Sequence, residues 1–557
     1  MRAAVRTKIA PSSPLWIHAA ALGLLFLRRP DQFFHPQFQA EDGGLFFMQA
    51  RESGLAAIGK TYNGYHHLLP RLTAAFADAA APPRWAPHIY AIVSALALLV
   101  VVGMAVSRRI RLPGKRLIAL APLLIPHNGW VYLHLTDVQS ILAWGLILLL
   151  IAEPPTRARE RITDVVYLIL AGLTGPFVLF FLPLFLGRWL VRRDAHGIVL
   201  LLIALGCAGL QSKDLPDART QPTSQGFDIR DPSWVQVVGV RYAGVGIFGQ
   251  ELGRTIAENP RGAWALLIAT AILLLGTTFL LIAPLHPRLL TIHLAGLAVF
   301  LATLWAYRFR PALLFGLVAN RYSFVPMITL GAVLVGIWRA GGPRARLAGI
   351  LMFLLIPGAA ATFRSRALDD DGWGRASRVF GGDLPADVII HPYWVLRYRP
   401  ESEGRIVSPN LFADVAHESL QITPIRVAPP IEEPVLTEFR GGSFLRTPSR
   451  TVIEFEIPRG ARGFRIQTGL QFRRGTPTIL DGFDLLVERA PPMSQDFRVL
   501  RSQRHQPGPD SLRGVYPRPL LLETPLDGTP GRLRLSAVPR NGTSGDWWIL
   551  WGAAVFR

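Results

Sequence analysis

The sequence contains 557 residues, of which 50% are hydrophobic, and its formal net charge is +21. This length favours more than one domain, and the single cysteine, Cys207, excludes an intrachain disulfide and a metal site built from cysteines. The arginines cluster at the ends of apolar runs and form no nucleic-acid-binding motif. Membrane lipids are therefore an expected partner and nucleic acid is not.

Apolar runs fill the first two thirds of the chain and do not occur in the last third. We therefore predict an α-helical polytopic membrane domain at 1–362, with outer-face loops at 28–85 and 212–261. A connector is expected at 363–433, and an all-β jelly-roll or sandwich domain at 434–557.

About eleven transmembrane helices are expected, since a bilayer core of about 30 Å takes about 20 apolar residues. The candidate spans are 10–27, 86–107, 116–131, 137–152, 162–175, 177–191, 197–211, 262–283, 289–305, 322–338 and 346–362. Only Thr174-Gly175-Pro176 separates the fifth span from the sixth, so a tight turn and a kink in one long helix both remain open.

The links between the spans alternate between arginine-rich segments and less basic ones. If the arginine-rich links face the cytoplasm, the N-terminus is cytoplasmic and the C-terminal domain is periplasmic. We predict a multi-pass protein of the bacterial inner membrane. A cleavable signal peptide is the alternative for the N-terminus, but no small-residue cleavage site follows Leu27.

The first outer loop contains two adjacent carboxylates, Glu41 and Asp42, just before a predicted helix. A carboxylate at the membrane surface can serve as a general base on an acceptor hydroxyl or bind a divalent cation. The alternative is that Asp42 caps a helix that begins near Gly44. Residues 45–52 and 234–252 are expected to form amphipathic helices on the membrane surface.

Further along this loop, Tyr65, His66, His67 and Arg71 form a dense polar group. The histidines are candidate ligands for a phosphate or a metal, and Arg71 is a candidate ligand for a phosphate. The alternative is an interfacial aromatic belt with a snorkelling arginine. Because no third ligand lies at a fixed spacing, no metal site is predicted, and a divalent cation is only a candidate cofactor.

Two more outer links carry ionisable residues at membrane depth, where such residues are functional candidates. His134 and Asp137 precede one span, although Asp137 is also suited to cap the helix that follows. Arg321 and Tyr322 begin another span on its outer side, where the positive-inside rule does not favour arginine. An arginine there suits a phosphate or pyrophosphate, or else an anionic lipid headgroup.

Other arginines add to the positive charge on the predicted outer face, and an anionic ligand held there would explain the excess. They are Arg28, Arg29, Arg51, Arg71, Arg241 and Arg254. Walker, Rossmann, GxSxG and HExxH motifs are absent from the sequence, which argues against ATP-driven transport and soluble-type hydrolase chemistry.

The last third of the chain alternates apolar and polar residues with a period of two, as strands do. The predicted strands are 435–439, 451–457, 463–472, 482–489, 495–502, 519–524, 531–538 and 547–556. Asp546-Trp547-Trp548 near the end is either a surface that stacks on sugar rings or part of the sandwich core.

Four motifs in the membrane half resemble the GT-C superfamily of integral membrane glycosyltransferases, in a bacterial multi-spanning branch. They are Ala40-Glu41-Asp42-Gly43, Tyr62-Asn63-Gly64-Tyr65 with Leu68-Leu69-Pro70-Arg71, Thr174-Gly175-Pro176-Phe177, and Arg321-Tyr322-Ser323-Phe324-Val325-Pro326. The C-terminal strands resemble an NPCBM-type carbohydrate-binding jelly roll. The residues that carry this second resemblance are Phe464-Arg465-Ile466-Gln467-Thr468-Gly469-Leu470, Asp484-Leu485-Leu486-Val487, Arg532-Leu533-Arg534-Leu535 and Asp546-Trp547.

The GT-C resemblance implies an inverting transferase that moves a sugar from a polyprenyl-phosphate donor to a glycan or lipid acceptor of the cell envelope. It implies that Asp42 or Glu41 is the catalytic base and that Arg321 and the His66, His67 and Arg71 group bind the donor phosphate. The WWDYG-type signature of oligosaccharyltransferases is absent. The alternatives are a non-enzymatic flippase or export component for lipid-linked polysaccharide and, ranked last, a membrane-anchored glycan-binding protein.

Overall fold

The structure is a computed structural model, and it describes most of the chain with several gaps. The described residues are 15–127, 131–214, 233–281, 287–307, 321–365, 367–368, 373–381, 386–390, 394–398, 435–439, 442–448, 452–457, 459–478, 483–492, 494, 496–505, 520–539 and 544–556. Asp369 to Gly372, the acidic turn of the predicted connector, lies outside them.

The chain divides into two compact units. The first unit consists of Met1–Phe34, Ile58–Thr73 and Tyr90–Ala367, and the second consists of His35–Ala57, Ala74–Ile89 and Leu368–Arg557. The domain boundaries predicted at 362 and 434 stay predictions.

The first unit is helical. Its helices are Leu15–Arg28, Pro30–Phe34, the first part of Leu68–Ala80, most of Ala86–Val106, Lys115–Leu124, Val138–Ile151, Ala158–Gly172, Phe177–Arg192, Ala195–Ser212, Ser233–Gly239, Val240–Phe248 (a π-helix), Gln250–Glu258, Pro260–Leu281, Pro287–Ala306, Phe324–Ala340 and Pro343–Ala361. The expected amphipathic stretch 234–252 falls on three of them, and residues 240–246 are buried.

Six helices among the described residues are long and apolar enough to cross a membrane. They are Pro83–Val106, Ala195–Ser212, Pro260–Leu281, Pro287–Ala306, Arg321–Ala340 and Pro343–Ala361. Leu15–Arg28 and Val138–Ile151 are apolar but shorter. The chain thus has the helices of a membrane protein, while the count of eleven spans is not confirmed.

Two local features explain why some predicted spans are short. The helix within 116–131 ends at Leu124, since Pro122 lies in its last turn and Ile125 is extended. The fifth and sixth predicted spans are separate helices, because Gly175 adopts φ +94° between them. That value lies in the left-handed region, where glycine is favoured, so Thr174-Gly175-Pro176 forms a turn and not a kink.

Helix Val138–Ile151 is the most enclosed helix of the first unit, since every side chain on it except that of Gln139 is buried. Gly145 allows Tyr167 to pack closely against it, because a Cβ atom there would lie 1.8 Å from the Tyr167 hydroxyl. The same hydroxyl donates a hydrogen bond to the Leu142 carbonyl at 2.8 Å. The helix is therefore held firmly, and its first turn provides a fixed support for Asp137.

Two antiparallel sheets form most of the second unit. The first has strand order Arg498–His505, Phe483–Ala490, Gly531–Pro539, Val452–Ile457. The second has order Leu520–Pro525, Gly463–Thr478, Ser544–Phe556, Gly442–Pro448, Val435–Phe439.

Buried side chains from both sheets join in one apolar core, as in a sandwich. Phe455, Leu485 and Leu533 come from the first sheet, and Ile466 and Leu522 come from the second. All eight predicted strands are present, and seven lie within three residues of their expected bounds, while the strand predicted at 463–472 extends to Thr478. Strand Gly442–Pro448 was not predicted, and neither was the hairpin of Ala386–Ile390 with Trp394–Tyr398 inside the predicted connector.

Candidate functional site

A charged network lies at the start of helix Val138–Ile151. Nδ1 of His134 lies 2.8 Å from Oδ2 of Asp137, and Nη1 of Arg321 lies 3.6 Å from Oδ1. Asp137 occupies the N-cap position, but its side chain makes no capping hydrogen bond. The capping alternative for the Asp137 carboxylate is therefore wrong, since each of its oxygens faces a basic side chain instead.

The surroundings of Asp137 favour its ionised form. The carboxylate is 2% exposed, and burial alone would raise its pKa. The positive charge of Arg321, together with the charge and hydrogen bond of His134, outweighs burial and holds the pKa below its ordinary value. Asp137 is thus an anion at neutral pH and keeps the guanidinium of Arg321 in place.

Two tyrosines continue the network on the other side of Arg321. Nη2 of Arg321 donates a hydrogen bond to the Tyr322 hydroxyl at 3.2 Å, and Tyr307 donates to the same hydroxyl. The Tyr322 ring also lies 5.2 Å from the centre of the guanidinium, within cation–π range. Burial and the neighbouring Tyr322 raise the pKa of Tyr307, so it stays a neutral hydrogen-bond donor.

Tyr65 reaches this group from a tight hairpin. Strands Thr61–Tyr62 and Tyr65–His66 pair with Tyr62 opposite Tyr65, and both turn residues have positive φ, +53° at Asn63 and +82° at Gly64. Such a turn between two strands is the favoured use of an Asn-Gly pair. The Tyr65 hydroxyl lies within electrostatic reach of Arg321, Tyr322 and Asp137, and Gln139 is close to it.

One buried glutamine fastens this hairpin to the turn at Thr174-Gly175-Pro176. Gln211 is fully buried, and its Oε1 accepts a hydrogen bond from the His66 backbone N–H at 2.7 Å. Its Nε2 lies 3.0 Å from the carbonyls of Gly172 and Gly175 and 3.3 Å from that of His66. The position of Tyr65 therefore depends on a residue far away in the sequence.

His67 and Arg71 follow the hairpin and are 1% and 2% exposed. The His67 ring packs 4.6 Å from the Tyr65 ring, and burial together with the charge of Arg71 lowers its pKa to about 3. Burial lowers the pKa of Arg71 to about 10, which still leaves it cationic at neutral pH. His67 is therefore neutral and cannot attract a phosphate by charge.

The structure brings most of the predicted site residues of the first unit together. Asp137 is within electrostatic reach of Tyr65, His67, His134 and Arg321, Tyr322 is within reach of Tyr65, and Arg71 is within reach of His67. His66 is half-buried beside Lys213 and Asp214, and burial lowers its pKa. Sequence reasoning missed Gln139, Gln211 and Tyr307, and only the Asn63-Gly64 pair gave a local signal for the hairpin.

The other predicted site residues, Glu41 and Asp42, belong to the second unit. A π-helix begins at Asp42 and runs to Phe47, with Glu41 in the N-cap position and no side-chain capping bond. Asp42 is therefore the first residue of the helix, and the prediction that it caps a helix starting near Gly44 is wrong. Both carboxylates are buried, and Ala40 before them has a φ of +42°, which is unusual for alanine.

Aromatic side chains of the second unit hold this helix. Phe38 lies 5.0 Å from Phe47 and 4.7 Å from Trp373, between ring centres, and Phe380 lies 5.2 Å from Phe47. Gly43 allows the close approach, because a Cβ atom there would lie 3.0 Å from Phe38. The expected amphipathic helix at 45–52 is thus partly buried, with Phe46, Phe47, Met48 and Ala50 inside the unit.

Three of the arginines assigned to the predicted outer face have structural partners. Arg28 is fully buried and donates hydrogen bonds to the backbone carbonyls of Leu123, Ile125, His127 and Thr362. In this way it satisfies the end of helix Lys115–Leu124, which has no intrahelical donors.

In the second unit, Nη1 of Arg51 lies 2.8 Å from Oδ1 of Asp78. In the first, Arg29 pairs with Asp31 at 3.1 Å. Part of the arginine excess is therefore explained without an anionic ligand.

No group of three or more His, Cys, Asp or Glu side chains within the described ranges is arranged to hold a metal ion. The divalent cation considered from the sequence stays a prediction without a described set of ligands.

No family model matches the chain, and no curated protein matches it. A solved structure of a family GH115 4-O-methyl-alpha-glucuronidase, with specificity for decorated arabinogalactans, aligns at 10% identity with a TM-score of 0.15. The alignment covers 74% of this chain and 44% of that structure's chain. A TM-score this low does not establish a shared fold.

Proposed function

We propose that the protein is a GT-C-like membrane glycosyltransferase that uses a polyprenyl-phosphate sugar as donor. The observation that carries the proposal is the setting of Arg321. Its side chain is 22% exposed, while its partner Asp137 is 2% exposed. A guanidinium that solvent can reach and a buried carboxylate orients is suited to bind phosphate oxygens.

The tyrosines around Arg321 support the same reading. Tyr307 and Tyr322 present hydroxyl groups beside the guanidinium, and Tyr65 adds a third from the hairpin. Neutral hydroxyl donors stabilise an anion without adding charge that would have to be neutralised when the site is empty. His67 is neutral, and its role in the proposal is to pack against Tyr65.

The proposed reaction is a direct displacement at the anomeric carbon. The acceptor hydroxyl loses its proton to a carboxylate, the role that the GT-C resemblance gives to Asp42 or Glu41, and its oxygen forms a bond to the anomeric carbon. The bond between that carbon and the phosphate oxygen breaks, and polyprenyl phosphate leaves with the electron pair. Arg321 stabilises the charge that develops on the leaving phosphate, and a single displacement inverts the anomeric centre.

The location proposed for this chemistry is the periplasmic face of the bacterial inner membrane, with the N-terminus in the cytoplasm. The arginine-rich links support this orientation. The sandwich of the second unit is proposed to bind the glycan acceptor, as its resemblance to a carbohydrate-binding jelly roll implies.

The test is release of polyprenyl phosphate by the purified full-length protein in detergent, with a panel of polyprenyl-phosphate sugars and acceptor glycans. Arg321→Gln should lower kcat/KM about 10- to 100-fold, the value of a charged hydrogen bond. Asp42→Asn should lower kcat at least 100-fold, as expected for loss of a general base.

Matched controls exist on exposed positions of the same chain. Arg346→Gln removes an exposed arginine of helix Pro343–Ala361, and Glu52→Gln removes an exposed carboxylate close to Asp42 in sequence. Both should keep full activity. No release of polyprenyl phosphate by the wild type with any donor, together with movement of the lipid across a vesicle membrane, would replace the enzyme with the export component.

A further inference from the structure

A second cluster of charged residues lies at the opposite end of helix Val138–Ile151 from Asp137. The helix has 14 residues, which gives a length of about 21 Å at the usual rise per residue. Arg192 donates a hydrogen bond to the carbonyl of Ala152, directly after this helix. The cluster is thus separate from the site around Arg321.

Most charges in this cluster have close partners. Arg109 donates two hydrogen bonds to the Asp164 carboxylate, at 2.8 and 2.7 Å, and Nε2 of His196 lies 2.9 Å from the same carboxylate. Asp194 accepts a hydrogen bond from the Gly197 backbone through Oδ1 and so caps the helix that follows. Oδ2 of the same Asp194 has no hydrogen-bond partner among the described residues.

Arg188 is the exception, and it lies in the last turns of helix Phe177–Arg192. Its side chain is buried, with 9% of the residue exposed, and none of its three guanidinium nitrogens has a hydrogen-bond partner among the described residues. Arg192 is the charged group that acts on it most strongly, ahead of Asp194, Asp164 and Arg109. Oδ2 of Asp194 is also without a partner, and no ion pair joins the two groups.

A buried guanidinium with no hydrogen-bond acceptor costs several kcal/mol of desolvation energy. No acceptor for this arginine lies among the described residues, so one must come from outside them. We propose that Arg188 and Arg192 form a phosphate-binding site at this end of the helical unit.

Phosphate fits this site better than a carboxylate ligand would. A guanidinium offers several N–H donors in one plane, and a phosphate group can accept from two arginines at once. The site lies where apolar helices end, so the phosphate can come from an anionic lipid headgroup or from free phosphate in solution. Both sources present non-esterified phosphate oxygens to Arg188.

Native mass spectrometry of the delipidated full-length protein with added phosphatidylglycerol tests the lipid source. The wild type should retain the lipid, and Arg188→Gln should bind it at least tenfold more weakly. Arg161→Gln, an exposed arginine near the same end of helix Ala158–Gly172, should bind as the wild type does. Melting with inorganic phosphate against chloride at equal ionic strength tests the other source, and a rise in Tm should occur in the wild type and not in Arg188→Gln.

Equal behaviour of the wild type and Arg188→Gln in both assays would overturn the proposal. A second variant distinguishes loss of the site from a folding defect of Arg188→Gln. Arg188→Met removes the buried charge and keeps much of the side-chain volume. With phosphatidylglycerol or phosphate present, it should melt below the wild type if the site is real, and above it if Arg188 is only a buried charge without a ligand.

Discussion

Arg321 and Asp137 come from distant parts of the sequence and meet with Nη1 of the arginine 3.6 Å from Oδ1 of the aspartate. The aspartate is buried and the arginine is partly exposed, so the two partners differ in solvent exposure. Asp137 pays a desolvation cost that the charges of Arg321 and His134 offset. This arrangement fixes the guanidinium while leaving part of it open to solvent.

Asp137→Asn should destabilise the protein by about 3 kcal/mol, because it leaves Arg321 and His134 without their charged partner. The measurement is the Tm and the denaturant midpoint in detergent. Asp78→Asn is the matched control, since its pair with Arg51 is about one quarter exposed on each side, and it should cost less than about 1 kcal/mol. Equal losses for the two variants would contradict the structural role given to Asp137.

The pH dependence of this variant has a definite sign. Because the folded-state pKa of Asp137 lies below its ordinary value, its contribution to stability is present above the ordinary pKa and is lost as pH falls through the folded-state pKa. The gap between wild type and Asp137→Asn should therefore shrink below about pH 4.

The sequence predicts most members of the first unit's network but not their pairing. His134, Asp137 and Arg321 stand out because ionisable residues are rare beside apolar runs. The link between Arg321 and Asp137 depends on helix packing, and no local pattern encodes it. Gln211 is hidden for the same reason, since a single glutamine at the end of an apolar run gives no sign of the four hydrogen bonds it makes.

The fold shows a similar division. Alternation with a period of two predicts eight strands, but Gly442–Pro448 lacks that alternation and gains its place only by pairing with two neighbours. Apolar runs predict where helices occur, while their lengths depend on local breaks such as Pro122. Composition therefore predicts the two classes of structure, and packing decides the bounds.

His67 should make the protein less stable in acid. Its pKa is about 3 in the folded state, well below the ordinary value of 6.5, so the unfolded chain binds a proton that the folded protein refuses. Stability should be complete above about pH 7 and should fall by about 2 kcal/mol between pH 7 and pH 5 on account of this residue.

His67→Gln should remove that part of the pH dependence. The measurement is Tm against pH from 5 to 8 for both proteins. His35→Gln, which changes an exposed histidine, should leave the slope as it is in the wild type. A slope that is the same with and without His67 would show that the histidine binds its proton over the same pH range in the folded and unfolded protein.

Gly64→Ala should destabilise the hairpin by about 1 kcal/mol, since Gly64 has a φ of +82° and alanine is strained there. Gly59→Ala is the matched control. Gly59 lies just before the hairpin without a positive φ, and nothing lies within 4 Å of the place its Cβ would take. Melting curves should separate the two variants, and an equal effect would mean that the turn is not held as described.

The hairpin is expected to affect function because it positions Tyr65. If Gly64→Ala loosens the turn, the affinity for the polyprenyl-phosphate donor should fall, because the Tyr65 hydroxyl lies within reach of Arg321. Gly59→Ala should leave the affinity unchanged. A lower Tm with unchanged donor binding would separate the fold of the hairpin from the proposed donor site.

Glu454→Gln should destabilise the sandwich by about 3 kcal/mol, because it breaks a buried ion network. The Glu454 side chain is 1% exposed and accepts hydrogen bonds from Arg532 and Arg534 on the neighbouring strand. Arg534 also stacks on the Phe497 ring, 3.6 Å from its centre.

Glu456→Gln is the matched control, since Glu456 is exposed on the same strand. The measurement is proteolysis of the full-length protein, in which Glu454→Gln should speed cleavage within 452–539 and Glu456→Gln should not. Equal cleavage of the two variants would contradict the stabilising role given to Glu454.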